Sequence, residues 1–379
     1  MANIIIIGPA HPLRGGLASF DERLARQFQE EGHEATIYTF SLQYPNFMFP
    51  GTTQYSSEPA PTDIKIKVCI NSINPLNWLI VGRELKKMKP DIIVVRYWLP
   101  VMGPCLGTIL QRARSNGHTR VVCIADNIIP HEKRPGDGPF TKYFIKPVDA
   151  FVTMSERVMA DLRTLDNVKP AQQVNHPLYD NFGEPISMFE AREKLSIDSS
   201  KKILLFFGFI RKYKGLDLLL EAIAIIKQKS LLQNFSLVVA GEFYEEAQPY
   251  LDQVKNLDIA ELVDLRTTFI PDSEVKYFLC AADVVVQPYR NATQSGVTPL
   301  AYHFEIPMIV TNVGGLPSLV PDGKVGLVAE PNPAAIADKI LQYFSLGKNS
   351  FLPALQQEKK KYMWHNLTGA IVKLAKIHP

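Results

Sequence analysis

The sequence predicts an α/β protein of two Rossmann-like, doubly wound domains that face each other across a central cleft. Three observations predict it. Short β-branched runs alternate with helical patterns along all 379 residues. The strand candidates are continuously apolar and not alternating, which implies parallel sheets covered by helices on both faces. The plan of the first half then repeats after a Pro- and Asn-rich stretch, VNHPLYDNFGEP (174–185), which reads as a linker. A chain this long also exceeds one comfortable core.

In the first half the strands are NIIIIG (3–8), EATIYTF (34–40), DIIVVRY (91–97), RVVCIAD (120–126) and DAFVTMS (149–155). Between the first two lies LASFDERLARQFQEEG (17–32), with apolar side chains at three- and four-residue spacing and Gly32 as its stop. The second half offers KILLFFGF (202–209), FSLVVAGE (235–242), DVVVQPY (283–289), PMIVTN (307–312) and VGLVAE (325–330). Helical patterns at 215–228, 272–282 and 332–344 separate them. A last helix follows a loop containing Gly347 and Pro353. The expected domains are 1–178 and 179–355, with the terminal helix over about 356–379. The cleft at the carboxyl ends of both sheets is the default ligand site.

Bulk properties narrow the class. Hydrophobic residues make up 46% and charged ones 21%, ordinary for a soluble globular protein. A net charge of +3 gives no signal for nucleic acid. The basic runs RELKKMK (83–89) and KKKY (359–362) read as solvated helix faces, with rest on an anionic membrane as the other reading. Cys69, Cys105, Cys123 and Cys280 are scattered, which suits reduced thiols in the cytoplasm. MANIIIIGPAHP reads as a first strand and not a signal peptide, and no apolar run reaches the ~18 residues of a membrane span.

Candidate chemistry sits on strand-to-helix turns. In GFIRKYKGLDLLL (208–220), Arg211, Lys212 and Lys214 crowd the turn before a helix. A helix N-terminus already carries about half a positive charge, so three cations there are unfavourable unless an anion such as a diphosphate neutralises them. Three solvated side chains are the alternative. In RNATQSGVTPLAYH (290–303), Ser295–Thr298 open a short helix after a buried strand, and Gly296 lets backbone N–H groups approach a phosphate. An ordinary turn reads equally well. GPAHPLRGGLASF (8–20) lacks the G-x-G-x-x-G fingerprint, which disfavours a dinucleotide oxidoreductase, while Gly15 and Gly16 suit either a simple turn or a flexible loop over the cleft. ADNIIPHEKR (125–134) places Asp126, His131, Glu132 and Arg134 beyond a strand, as an acid/base or positioning cluster or as structural residues.

Taken together, these segments resemble a GT-B glycosyltransferase of the family 4 group, retaining enzymes related to glycogen synthase. The resemblance is strongest in FFGFIRKYKGLDLLLEAI, TTFIPDSEVKYFLCAADVVVQPY and IPMIVTNVGGLPSLVPDGKVGLVAEPNPAAIADKI; PLRGGLASF, DNIIPHE and YMWHNLTG match more weakly. It implies a nucleotide sugar, UDP- or GDP-linked, held by the second domain, and a carbohydrate or lipid-linked acceptor held by the first. It also implies that the terminal helix crosses back onto the first domain. No metal is expected, because cationic side chains and helix N-termini stabilise the leaving diphosphate. By resemblance Lys214 contacts that diphosphate. The candidate site is then Asp126, His131, Lys214 and Arg211 for catalysis, with Gly15, Gly16, Gly208, Gln294, Ser295, Gly296, Val297 and Thr298 around the donor.

Three departures from the family pattern stand out. Phe209 occupies the place of an arginine, for which Arg211 is the candidate replacement. Ala292 and Leu300 occupy the places of two glutamates that contact the donor sugar and the ribose; Gln294, Thr298 and His303 are candidates to compensate. Asp126 stands where many relatives have histidine. The leading expectation is a retaining glycosyltransferase of polysaccharide or glycoconjugate synthesis. A catalytically weak sugar-nucleotide-binding subunit and a GT-B epimerase are the alternatives.

Overall fold

The computed structural model describes residues 1–44, 54–56, 59–129, 135–178, 180, 182–230, 232–292 and 295–376. The chain forms two compact units, Met1–His176 with Met363–Pro379, and Pro177–Tyr362.

The first unit carries seven parallel strands: β1 (Asn3–Ile7), β2 (Glu34–Leu42), β3 (Lys65–Asn71), β4 (Ile92–Tyr97), β5 (Arg120–Ala125), β6 (Ala150–Thr153) and β7 (Ala171–Gln173). Their order is β3-β2-β1-β4-β5-β6-β7. Helices α1 (Gly16–Glu30), α2 (Pro75–Met88), α3 (Gly103–Arg114), α4 (Asp137–Ile145) and α5 (Glu156–Leu165) connect them. The isoleucine run of β1 shows why the strands are continuously apolar. Ile5 and Ile7 enter one core with Leu85 and Ile109, whereas Ile4 and Ile6 enter the opposite core with Phe20 and Phe28. Alternating side chains thus bury on both faces.

The second unit has β8 (Lys202–Phe207), β9 (Phe235–Ala240), β10 (Val263–Arg266), β11 (Val284–Gln287), β12 (Met308–Thr311) and β13 (Gly326–Ala329), in the order β10-β9-β8-β11-β12-β13. Its helices are α6 (Met188–Lys194), α7 (Leu216–Gln228), α8 (Gln248–Asn256), α9 (Asp272–Ala281), α10 (Val297–His303), α11 (Leu316–Leu319), α12 (Pro333–Leu346) and α13 (Leu352–Lys359). The final helix, α14 (Trp364–Lys376), belongs to the first unit.

The terminal helix expected from about 356 onward is therefore two helices. α13 stays with the second unit through buried Leu355. α14 sets Trp364 against Phe20, with ring centroids 4.8 Å apart, and Thr368 donates to Glu31 at 2.7 Å. The first boundary falls at His176–Pro177.

In each unit the strand order reverses beside the first strand, at β1 and at β8. Loops leaving the carboxyl ends there diverge to opposite faces and open a crevice. For β8 these loops are 208–215 and, from neighbouring β11, the described residues 288–292 and 295–296.

Candidate functional site

The turn after β8 is built on glycines. Gly208 has φ +96°, and a methyl group there would stand 3.1 Å from Lys214 Nζ and 3.7 Å from Val297 Cγ2. Three sequence-predicted positions, Gly208, Lys214 and Val297, are thus brought together. Gly215 caps α7 at φ +66°, with its α-carbon so close to the Pro288 carbonyl that a methyl group would lie 2.0 Å from that oxygen. Only glycine satisfies both the left-handed backbone and the close approach.

Lys214 is half-buried, and that burial, with the nearby Arg211 charge as a second cause, lowers its pKa to about 8. Among the described residues no carboxylate pairs with it; its Nζ lies over the Tyr289 ring, 5.8 Å from the centroid. Arg211 is exposed, its guanidinium 5.1 Å from the centroid of Tyr244. Phe209 packs on the same ring, with centroids 4.2 Å apart. The turn itself is fastened by Lys212 N–H, which donates to Glu245 at 2.8 Å.

The loop after β11 is held from beneath by a neutral network. Ser295 Oγ donates to Gln287 Oε1 at 2.6 Å, and Thr298 Oγ1 donates to the same oxygen at 3.2 Å. Ser295 Oγ also accepts the Val297 N–H at 3.1 Å and lies 3.4 Å from the Tyr289 hydroxyl. Both hydroxyl side chains face inward, so the expected row of open N–H groups over 295–298 narrows: the one at Val297 is already satisfied. Gly296 remains open, with nothing within 4 Å of where a Cβ would stand. Gln294 lies outside the described residues.

Ala292 and Leu300, at the glutamate positions, are both buried in the core of the second unit. Gly314, at φ +53°, approaches Ala292 so closely that a methyl group would sit 1.5 Å from the Ala292 carbonyl oxygen. His303 is spent on structure: its Nε2 lies 3.0 Å from the Gly183 carbonyl oxygen, and the ring packs edge-on against Phe304.

In the first unit Asp126 follows β5 and is gripped by Arg96 of β4. Arg96 Nε donates to Oδ2 at 2.6 Å and Nη2 to Oδ1 at 2.7 Å. Arg96 Nη1 donates to Asp21 of α1 at 3.1 Å, and the Phe20 ring lies 3.9 Å from the guanidinium. Two carboxylates thus share one buried guanidinium. Asp21 Oδ2 is buried without a partner against Gly8, and burial, opposed by Arg96, raises the Asp21 pKa to about 7. Gly15 (φ +109°) caps α1 and Gly16 begins it, both with open space around the α-carbon. His131 lies outside the described residues, as do Glu132 and Arg134.

Comparison with known proteins decides the family. The profile described as Glycosyltransferase Family 4 matches residues 14–174, and that described as Glycosyl transferases group 1 matches residues 187–360. The chain belongs to the family 4 group of GT-B glycosyltransferases. Among similar sequences, a D-inositol 3-phosphate glycosyltransferase of Thermobifida fusca is 24% identical over 83% of this chain and 77% of its own length. An uncharacterized glycosyltransferase of Methanocaldococcus jannaschii is 27% identical over 75% and 74%. Among solved structures, a Rickettsia africae glycosyltransferase superposes with TM-score 0.69 at 15% identity, over the whole of both chains. Anabaena HepE, in complex with UDP, superposes with TM-score 0.66 at 14% identity, over 98% of this chain and 99% of its own.

Within this glycosyltransferase, sequence reasoning missed Arg96, Asp21 and Gln287. Each left a signal: an arginine inside the apolar run DIIVVRY, an aspartate on the inward side of an amphipathic helix, and a glutamine closing DVVVQ. A polar residue at a position the pattern buries demands a partner.

Proposed function

We propose that this glycosyltransferase moves a hexosyl group from a UDP- or GDP-linked sugar to a hydroxyl of a carbohydrate or lipid-linked acceptor, with retention, in polysaccharide or glycoconjugate synthesis. The C1–O bond to the diphosphate breaks, the acceptor oxygen bonds to C1, and the acceptor proton leaves with the diphosphate. The observation that carries the reading is Lys214: an ammonium held in low-dielectric surroundings beside Gly208 and Val297, with Arg211 adding charge of the same sign. Such a group stabilises an anion that accumulates negative charge in the transition state. No metal enters this reading. HepE's complex with UDP supports the donor class, at the level of the fold.

The buried Ala292 and Leu300 favour a second reading, a subunit that binds the nucleotide sugar and transfers weakly. A panel of nucleoside diphosphates and nucleotide sugars read by thermal shift, followed by donor turnover, separates the two. Saturation at ~100 times the dissociation constant stabilises by ~2.7 kcal/mol. Binding with turnover that Lys214→Ala abolishes supports the transferase. Binding without turnover of any donor supports the subunit, and a flat panel removes the basis of both.

A further inference from the structure

The surface of α2 is unlike that of any helix around the candidate site. Its sequence is PLNWLIVGRELKKM. Leu76 is 71% exposed and Ile80 65%, and Ile73, just before the first turn, is 58% exposed. Leu76, Ile80, Arg83 and Lys87 follow four- and three-residue spacing and share one helix face. Arg83, Lys86, Lys87 and Lys89 are all exposed, and none has an ion-pair partner among the described residues. The one acid of the helix, Glu84, is engaged by Lys67 at 2.5 Å and by the Tyr38 hydroxyl at 2.6 Å.

The apolar stripe has no way to turn inward. Val81, Gly82 and Leu85 are buried against the sheet and α3, and a methyl group on Gly82 would stand 2.6 Å from Arg112 Cβ. Asn74 caps the first turn and Lys89 ends the helix in a left-handed conformation. The helix is therefore a fixed plate, apolar toward its start and cationic toward its end.

We propose that this outward face of α2 docks the protein on an anionic phospholipid bilayer. Charge complementarity selects the occupant: uncompensated cations beside an apolar stripe match a surface that offers anionic headgroups and, a few ångströms below, acyl chains. No helix among the described residues is long and apolar enough to cross a membrane, so the contact is one of lying on the surface.

The test is flotation of the full chain with vesicles of phosphatidylcholine alone and with 30% phosphatidylglycerol added (about a third anionic lipid, as for an anionic leaflet). Wild type is expected to partition at least tenfold more strongly onto the anionic vesicles, and less so as salt rises. Leu76→Glu with Ile80→Glu should lower partitioning by about tenfold or more. Lys86→Glu with Lys87→Glu should lower it by at least twentyfold, about fivefold per lysine from lost attraction alone. All four positions are exposed, and unchanged melting curves verify the fold. Equal binding to both vesicle types, no binding, or variants that bind like wild type overturns the proposal. A dimer seen by light scattering and lost in Leu76→Glu with Ile80→Glu, without vesicle binding, overturns it in favour of a second copy.

Discussion

Replacing Lys214 by methionine should stabilise the ligand-free protein while removing its response to a nucleoside diphosphate. Burial lowers the lysine pKa from 10.5 to about 8, so near neutral pH the folded chain carries an ammonium it would hold more readily unfolded. At ~1.36 kcal/mol per pH unit, that displacement makes the charge unfavourable by roughly 3 kcal/mol. Partial solvent access of Nζ reduces the expected gain to about 2 kcal/mol. For a unit of this size that is roughly 4–8 °C in melting temperature. The direction with pH follows from proton counts. Between about 8 and 10.5 the unfolded chain binds more protons at this site than the folded one, so wild-type stability rises with pH there. Below about 8 the whole deficit is present, and the variant's advantage should be largest. The assay is urea unfolding of wild type and Lys214→Met at pH 7 and pH 9.5, with and without UDP. The advantage should shrink at the higher pH, and UDP should stabilise wild type only. A variant less stable than wild type at pH 7 would refute the reasoning, because it would mean that a partner anchors the ammonium.

Asp21 gives the opposite pH signature. Its pKa is raised from 3.8 to about 7, so the folded chain holds the extra proton between those values and stability at this site falls as pH rises through that window, the contribution being lost above about 7. Asp21→Asn does not titrate, so by urea unfolding wild type should lose ground to it from pH 5 to pH 8; a constant difference would show that Arg96 keeps Asp21 charged throughout. Gly314→Ala should destabilise by more than the ~1–2 kcal/mol of a left-handed non-glycine residue, because its methyl group meets the Ala292 carbonyl. Gly323→Ala, also at positive φ but in open space, should show only the backbone part. Leu300→Glu should destabilise by several kcal/mol without raising affinity for any nucleotide sugar, because position 300 faces the core.

The two sheets were legible because burial on both faces writes itself as unbroken apolar runs. β3, β7 and β10 were not, each lying at a sheet edge where that rule fails: KIKVCIN alternates lysine with apolar residues, AQQ is three residues long, and VDLR carries two charges in four residues. At the site, the clustering of Gly208, Lys214 and Val297 could be anticipated from the order of motifs after β8 and β11. The pairing of Arg96 with Asp126 and Asp21 could not, because the partners lie 30 and 75 residues away and no local pattern encodes which acid meets which base. Nor could the direction of Ser295 and Thr298: hydroxyls at a helix start serve a ligand or a neighbour equally well, and here the neighbour is Gln287.

That neutral network bears on what the site recognises. Gln287, Ser295, Thr298 and Tyr289 hold the loop with hydroxyls and an amide, and the glutamate positions are filled by buried Ala292 and Leu300. The end of β8 is left with Lys214 and Arg211 raising each other's electrostatic energy and, among the described residues, no carboxylate in the balance at Lys214. On the proposed function, binding energy comes from neutralising that repulsion, with no ion pair of Lys214 among the described residues to break first. One phosphate satisfies part of the field and two satisfy more of it, so UDP should bind more tightly than UMP. A charge-assisted hydrogen bond is worth about 1.5–3 kcal/mol, which sets the expected ratio at tenfold or above. In Lys214→Met the ratio should collapse toward one, with UMP affinity changing less than UDP affinity. Titration calorimetry of both nucleotides on both proteins measures it. A ratio that survives the substitution would place the second phosphate elsewhere and take from Lys214 the role assigned to it.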